Sequence, residues 1–178
     1  MKKTDKQTEL AYCFASGRSI TLESTGRGGG EGKIYRVLEE PGLLAKVYHA
    51  PKRSPDRGAK LAAMLAEPPL DPALLGSLGD GTAHQPAIAW PIELIALHSA
   101  PNTIAGFLMP WAEQMRPLHD FYTPKTRRQE IFGLTYRYLV RLGRNLAAAV
   151  AALHDRGYVI GDVNESNVLA AKTALITL

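Results

Sequence analysis

Polar and hydrophobic residues alternate in the first part of the chain. The alternation begins at residues 19–22, is interrupted by a glycine-rich stretch at 26–32, and resumes over residues 33–38. A period of two residues is typical of a strand with one buried side, and glycines between two such segments indicate a tight turn. Residues 43–48 form a third, mostly apolar segment that predicts a short buried strand.

Two further apolar segments follow at residues 88–97 and 103–109, with the sequence Ser-Ala-Pro-Asn between them. Because proline and asparagine favour turns, these segments predict a hairpin-like pair of strands. A Pro-Trp-Ala sequence at residues 110–112 breaks the pattern and ends this β-rich part of the chain.

Two helices are predicted from their end signals and their period. Residues 54–56 (Ser-Pro-Asp) provide a capping hydroxyl, a proline at the first helical position and an acid in the first turn, and two prolines at 68–69 end that helix. A second helix begins at Thr135 and closes over residues 154–157. Its apolar residues recur every three or four positions, namely Leu139, Leu142, Leu146, Val150 and Leu153.

The second helix leads to a polar loop at residues 161–167. Asp162 and Asn167 stand five positions apart in this loop, with apolar runs before and after them. In phosphoryl transfer, a carboxylate orients the attacking hydroxyl while an amide oxygen helps to hold Mg²⁺. The residues alone fit this chemistry, and they also fit an ordinary polar loop after a helix.

The glycine-rich stretch and the lysine in the third strand indicate anion binding. Glycines let backbone N–H groups approach phosphate oxygens, and Lys46 in an apolar strand requires a partner of opposite charge. A Walker A loop is excluded because no Gly-Lys-Ser/Thr sequence follows the glycines. The alternatives are a flexible turn, and an edge strand in which Lys46 faces water.

Composition narrows the classes of function. The chain has 178 residues, is 46% hydrophobic and carries a formal net charge of +4. This small surplus suits an anionic ligand such as a nucleotide but does not indicate nucleic-acid binding. A single cysteine excludes an internal disulfide framework, no apolar run approaches the roughly 20 residues of a membrane span, and the N-terminus lacks a signal-peptide pattern. We therefore expect a cytoplasmic protein.

The motifs occur in one order: glycine hairpin, strand lysine, capped helix, two strands, break, long helix and Asp-x4-Asn loop. In this order the chain resembles the protein-kinase-like fold from about residue 19 to its end. Residues 29–32 and 161–167 also resemble an atypical bacterial group of Ser/Thr protein kinases. The resemblance implies an α+β fold, with a small antiparallel β-sheet lobe and one helix at residues 1–109, and a hinge and mainly helical lobe with the catalytic loop at residues 110–178.

The resemblance also implies ATP and Mg²⁺ as cofactors and suggests roles for individual residues. Asp162 is the catalytic base, Asn164 is a catalytic-loop residue near the transferred phosphate, Asn167 is the metal ligand, and Lys46 binds phosphates. The other nucleotide-binding positions lie in the glycine-rich hairpin and around the base: Gly28, Gly29, Gly30, Gly32, Ile34, Met109 and Trp111. A protein substrate and regulatory protein partners are implied, whereas a membrane and direct nucleic-acid binding are not. Met109 and Trp111 also fit ordinary core residues.

Departures from the kinase pattern limit the expected activity. Gly161 stands where arginine is usual, Asn164 stands where lysine is usual, and no Asp-Phe-Gly sequence follows Asn167 within the 178 residues. Glu67, at the end of the first helix, is poorly placed to pair with Lys46. We therefore expect a truncated protein that transfers phosphate poorly or not at all.

Two other functions fit the same residues. A glycine before the catalytic aspartate, as in Gly161-Asp162, is usual in small-molecule phosphotransferases of the aminoglycoside or choline kinase kind. The missing elements also fit a pseudokinase that acts as an interaction scaffold. The glycine-rich hairpin favours a protein kinase over the first alternative, while Lys46, Asp162 and Asn167 favour it over the second.

Overall fold

A computed structural model describes residues 7–75, 85–126 and 134–178. Contacts divide the chain into two compact units: Met1–Glu67 with Trp90–Trp111, and Pro68–Ala89 with Ala112–Leu178. Among the described residues, the first unit has β-strands and one long helix, and the second is mainly helical with three short strands. The α+β class expected from the sequence is therefore confirmed.

The six strands of the first unit form a closed antiparallel barrel. They follow one another around the barrel in the order β1-β2-β3-β4-β6-β5. Alternate residues point inward, as the two-residue period predicts, and fill the interior with small and branched side chains. The strands are β1 (Thr8–Cys13), β2 (Ser19–Gly28), β3 (Gly32–Val37), β4 (Leu43–Tyr48), β5 (Glu93–Leu97) and β6 (Gly106–Pro110).

Strand β1 closes the barrel, and the sequence pattern did not reveal it. It pairs with β2 through Leu10 opposite Thr21 and with β5 through Ala11 opposite Leu97. Ala11 and Cys13 are fully buried in the barrel core. The strand predicted over residues 88–97 begins only at Glu93, because the proline at 91 has no N–H to donate to a ladder.

Helix α1 (Pro55–Ala66) packs against the outside of this barrel and follows a short 3₁₀ turn at Ala50–Lys52. Ser54 caps it, since its hydroxyl accepts a hydrogen bond from the Arg57 amide at 3.2 Å. Leu61 is buried in a cluster with aromatic and aliphatic residues of the strands, namely Tyr48, Leu94 and Phe107. The predicted start of this helix is confirmed.

The second unit is organised by a long helix. The cap residue Thr135 precedes it, and Leu142, Ala149 and Leu153 bury its inner side. Gly157 adopts a positive φ of 76°, which lets the Tyr158 amide reach the Leu153 carbonyl oxygen at 3.0 Å and ends the helix. The described elements of this unit are α2 (Pro72–Leu75), β7 (Arg116–Pro117), α3 (His119–Tyr122), α4 (Tyr136–His154), β8 (Leu169–Ala170) and β9 (Ile176–Thr177).

A buried carboxylate holds together described residues from the two ends of Pro68–Ala89 within the second unit. Asp71 is only 9% exposed. Its oxygens accept hydrogen bonds from the backbone amides of Ala73, Ala87 and Ile88 at 2.8, 3.2 and 3.1 Å. Ala87 in turn accepts a hydrogen bond from the amide of Leu178 at 3.0 Å, which ties this segment to the terminal strand.

Among the helices within residues 7–75, 85–126 and 134–178, none combines the length and the apolar character that a membrane crossing requires.

Candidate functional site

The glycine-rich turn between β2 and β3 is held in place by backbone hydrogen bonds. The Gly29 amide donates to the Gly32 carbonyl oxygen at 2.9 Å across the turn. His49, which follows β4, donates its amide to the Glu31 carbonyl oxygen at 3.0 Å, and its Nε2 lies 3.0 Å from the Gly29 carbonyl oxygen. These hydrogen bonds connect the turn to the residue that directly follows the strand carrying Lys46.

The four glycines proposed to bind phosphate differ in their surroundings. A Cβ on Gly28 or Gly32 would collide with backbone atoms, of Gly32 and Val47 respectively. The close approach of neighbouring strands is enough to require glycine at these two positions. A Cβ added to Gly29 or Gly30 would meet no described atom within 4 Å. Open space at the tip of the turn is what the approach of a phosphate to the backbone needs.

Lys46 lies in the middle of the barrel wall. It stands opposite Ile34 of β3 on one side and Phe107 of β6 on the other, so β4 is an interior strand and not an edge. Its side chain is 32% exposed. The ammonium group lies 5.7 Å from the centre of the Tyr48 ring, within the range of a cation–π interaction. Lys46 is thus a positioned cation on the outer face of the sheet.

The acid beside Lys46 is Glu31 of the glycine-rich turn. Its Oε2 lies 3.9 Å from Lys46 Nζ, and its Oε1 lies 3.1 Å from the Arg57 guanidinium. The hydrogen bond from Arg57 lowers the pKa of Glu31 below its ordinary value. The kinase pattern predicts this acid on the helix, where Glu67 is the residue that follows the last turn. A charged residue inside a run of glycines was the signal that could have found Glu31.

Of the two residues expected at the base pocket, Met109 lies near the end of β6 and Trp111 directly follows the strand. Met109 is half-buried and packs against the cluster that includes Tyr48. The Trp111 amide donates to the Gly42 carbonyl oxygen at 2.9 Å, and its ring lies 5.0 Å from the Arg36 guanidinium. Because the backbone N–H of Trp111 already donates to the Gly42 carbonyl oxygen, it is not available to donate a hydrogen bond to a nucleotide base.

The Asp-x4-Asn loop brings three of the predicted residues together. Asn164 donates its side-chain amide to one carboxylate oxygen of Asp162 at 2.8 Å, and Asn167 donates to the other at 3.0 Å. The Asn164 Oδ1 also accepts the backbone amides of Ser166 and Asn167 at 2.9 and 3.1 Å. Asparagine stabilises such turns through its own side chain, so local sequence determines this geometry.

The loop is fixed at its far end by the small sheet of the second unit. The Leu118 amide lies 3.1 Å from the Glu165 carbonyl oxygen and 2.8 Å from that of Val168. Val168 is buried. Asp162 itself is exposed, so a carboxylate held by two amides and open to solvent stands on an anchored loop. Such a group is suited to accept a hydrogen bond from a hydroxyl.

These elements define the class of the molecule: the chain has a protein-kinase-like fold. The ROP18 kinase domain in complex with AMP-PNP and sucrose matches 97% of this chain and 54% of that chain, with a TM-score of 0.58 and 18% identity. A rhoptry kinase from Toxoplasma gondii matches 97% of this chain and 49% of its own, with a TM-score of 0.54 and 14% identity. ROP2 from Toxoplasma gondii matches 97% of this chain and 53% of its own, with a TM-score of 0.52 and 18% identity.

In sequence, the chain is similar to the protein kinase YegI of Escherichia coli. It is 30% identical to the protein of strain K12 over 173 residues, which is 97% of this chain and 24% of YegI. The YegI protein of Escherichia coli O157:H7 is 31% identical over 172 residues, which is 96% of this chain and 23% of that protein. The chain therefore spans about a quarter of the length of these relatives. No protein-family model matches it.

Proposed function

We propose that this chain belongs to an ATP-dependent phosphotransferase of the protein kinase type, which transfers phosphate to Ser or Thr hydroxyls of a protein. The observation that carries the proposal is the Asp162 carboxylate held between the amides of Asn164 and Asn167 at 2.8 and 3.0 Å. The similarity to YegI, a protein named as a protein kinase, supports it. The single cysteine supports a reducing, cytoplasmic location.

In the first unit, the proposed roles concern the nucleotide. Lys46 would neutralise phosphate charge, and backbone N–H groups at the glycine-rich turn would approach phosphate oxygens. The open tip at Gly29 and Gly30 supports this role, whereas Gly28 and Gly32 would shape the hairpin that presents the tip. The base would lie against apolar side chains of β3, of β6 and of the residue that follows β6: Ile34, Met109 and Trp111.

In the second unit, the proposed roles concern the acceptor hydroxyl and the metal. Asp162 would accept the proton of the attacking hydroxyl. Asn167 turns its Nδ2 toward Asp162, which leaves its Oδ1 as the ligand atom, and oxygen is the donor that Mg²⁺ prefers. Bound Mg²⁺ would neutralise the phosphate oxygens. Asn164 would hold Asp162 without adding the positive charge that a lysine there would supply.

The first test is binding of ATP with Mg²⁺ by isothermal titration calorimetry. We expect the wild-type chain to bind and Lys46→Met to bind at least about tenfold more weakly, since a charge-assisted contact contributes about 1.5–3 kcal/mol. Lys60→Met is the matched control, because Lys60 is an exposed lysine of α1. Absence of wild-type binding at millimolar ATP would contradict the proposal.

The second test is phosphate transfer from radiolabelled ATP to a generic protein substrate. Transfer that Asp162→Asn abolishes, while nucleotide binding is retained, supports the protein kinase function. Transfer to small alcohols or aminoglycosides but not to protein would instead indicate a small-molecule phosphotransferase. ROP2 is described as having a protein-kinase fold and no enzymatic activity. This chain spans about a quarter of the length of YegI, so weak or absent transfer by the chain itself fits either function. Nucleotide binding without Asp162-dependent transfer in a longer form of the protein would indicate an interaction scaffold.

A further inference from the structure

Two cations of the first unit share one aromatic ring. The guanidinium of Arg57, in the first turn of α1, lies 4.5 Å from the centre of the Tyr48 ring, and the Lys46 ammonium lies 5.7 Å from the same centre. Tyr48 is buried in the cluster between α1 and the strands, so the ring is a fixed surface. Arg57 is therefore held beside Lys46 by packing as well as by charge, with only 27% of its side chain exposed.

The chain already places one anion between these cations. The two carboxylate oxygens of Glu31 lie 3.1 Å from the Arg57 guanidinium and 3.9 Å from Lys46 Nζ. The two oxygens of one carboxylate are close together, so a single small anionic group is able to reach both cations. The oxygens of a phosphate group have a similar spacing, and arginine binds such oxygens through its planar fork of N–H donors.

Glu31 is the more replaceable partner in this arrangement. Its side chain is 56% exposed and lies at the open tip of the glycine-rich turn, whereas both cations rest on the buried ring of Tyr48. An exposed ion pair contributes little net free energy, about 0–1 kcal/mol. A phosphate group carries more negative charge than a carboxylate and more acceptor oxygens, so it would compete effectively for the two cations.

We propose that Arg57 is a second phosphate-binding residue, which binds the phosphates of a nucleoside polyphosphate together with Lys46. On binding, a phosphate group would replace the Glu31 carboxylate as the partner of the two cations. This inference rests on the proposed nucleotide function and deepens it. It differs from a helix acid that orients the lysine: here the helix contributes a cation, and the acid comes from the glycine-rich turn.

The test compares Arg57→Gln and Glu31→Gln by calorimetric titration with ATP, ADP, adenosine and tripolyphosphate at low ionic strength. Arg57→Gln is expected to weaken the binding of ATP and ADP by about five- to tenfold and to leave the affinity for adenosine unchanged. Glu31→Gln is expected to strengthen the binding of ATP and ADP by about two- to fivefold, because it removes the competing carboxylate. Tripolyphosphate reveals whether the nucleoside is needed for these effects.

Opposite signs for the two variants are the signature of exchange, since loss of a purely structural ion pair would change both affinities in the same direction. Arg18→Gln and Glu40→Gln are matched controls, because Arg18 and Glu40 form an arginine–glutamate pair elsewhere in the same unit. Wild-type binding with no effect of Arg57→Gln, an equal effect on adenosine, or weakening by Glu31→Gln would each overturn the inference. Absence of wild-type ATP binding would instead overturn the nucleotide function itself, and the inference with it.

Discussion

Asn164 donates its side-chain amide to Asp162 at 2.8 Å, while its own Oδ1 accepts the Ser166 amide at 2.9 Å. One neutral side chain thus shapes the turn and orients the carboxylate. A lysine at this position would supply a charge but would have no acceptor for the Ser166 amide. The loop therefore gains local order from the residue that departs from the kinase pattern.

Replacing this asparagine should loosen the loop. In Asn164→Ala, the Ser166 amide loses its side-chain acceptor, so its hydrogen exchange should become about fivefold faster, the effect of losing a hydrogen bond of about 1 kcal/mol. Exchange measured by NMR is the readout. Asn167→Ala is the control: it removes the other amide on Asp162 but keeps the Asn164 Oδ1, so Ser166 should retain its protection. Equal acceleration in both variants would contradict this role of Asn164.

A second prediction concerns the contact between β4 and β6. A Cβ on Gly106 would overlap the carbonyl oxygen of Lys46, so Gly106→Ala should force these strands apart and lower the free energy of unfolding by about 2–3 kcal/mol. Gly143→Ala in α4 is the matched control. No described atom lies within 4 Å of that added methyl, and alanine should stabilise the helix by about 0.5–1 kcal/mol. Urea unfolding of the two variants measures both effects, and an equal response would refute the steric argument.

A third prediction concerns the buried carboxylate of Asp71. Asp71→Ala would leave three backbone amides without their acceptor, so the free energy of unfolding should fall by at least about 3 kcal/mol. Asp155→Ala removes an exposed carboxylate of the same unit and should change stability by less than about 0.5 kcal/mol. Denaturant titration followed by circular dichroism would compare them. A loss in Asp71→Ala no larger than in the control would show that the three hydrogen bonds contribute little.

A fourth prediction concerns stability at high pH. Burial raises the pKa of Tyr138 from 10.0 to about 12, and its hydroxyl donates to the Ala171 carbonyl oxygen at 2.5 Å. Above pH 10 the unfolded chain loses this proton first, so the folded state binds more protons and stability falls as pH rises toward 12. The limiting slope is about 1.4 kcal/mol per pH unit.

The phenylalanine variant should remove this contribution. Urea unfolding of Tyr138→Phe between about pH 9 and 11.5 should show a shallower decline in stability than wild type. Tyr136→Phe, two residues earlier on α4, is the control, because that side chain is 80% exposed and should leave the slope unchanged. Identical slopes for wild type and Tyr138→Phe would mean that another group causes the decline.

Local signals explain what could be predicted from the sequence. The cap at Ser54 and the glycine at 157 act within one helical turn of their own position, and the structure has both helix ends where the pattern put them. The loop from Asp162 to Asn167 is also closed by hydrogen bonds within six residues. In each case the physical cause and the sequence signal lie in the same short segment.

The elements that were missed depend on partners far away in the sequence. Strand β1 exists because it pairs with β2 and with β5, about 85 residues later, as Ala11 opposite Leu97 shows. The position of Glu31 beside Lys46 likewise depends on the pairing of β3 with β4. Hydrophobic periodicity does not predict a contact of this kind. The kinase pattern points to α1 for this acid, but the acids available there are Asp56 in the first turn and Glu67 just after the last, and both are poorly placed.

Closure of the barrel by β1 has a consequence for how the molecule behaves among other chains. In the part of the chain that the structure describes, every strand of the barrel has a hydrogen-bonded neighbour on both sides. An exposed row of unpaired backbone groups is what invites strand exchange and fibril growth. Because β1 completes these pairs, the described strands of the barrel present no such row, whereas a shortened chain that begins at the glycine hairpin would leave one side of β5 without its partner.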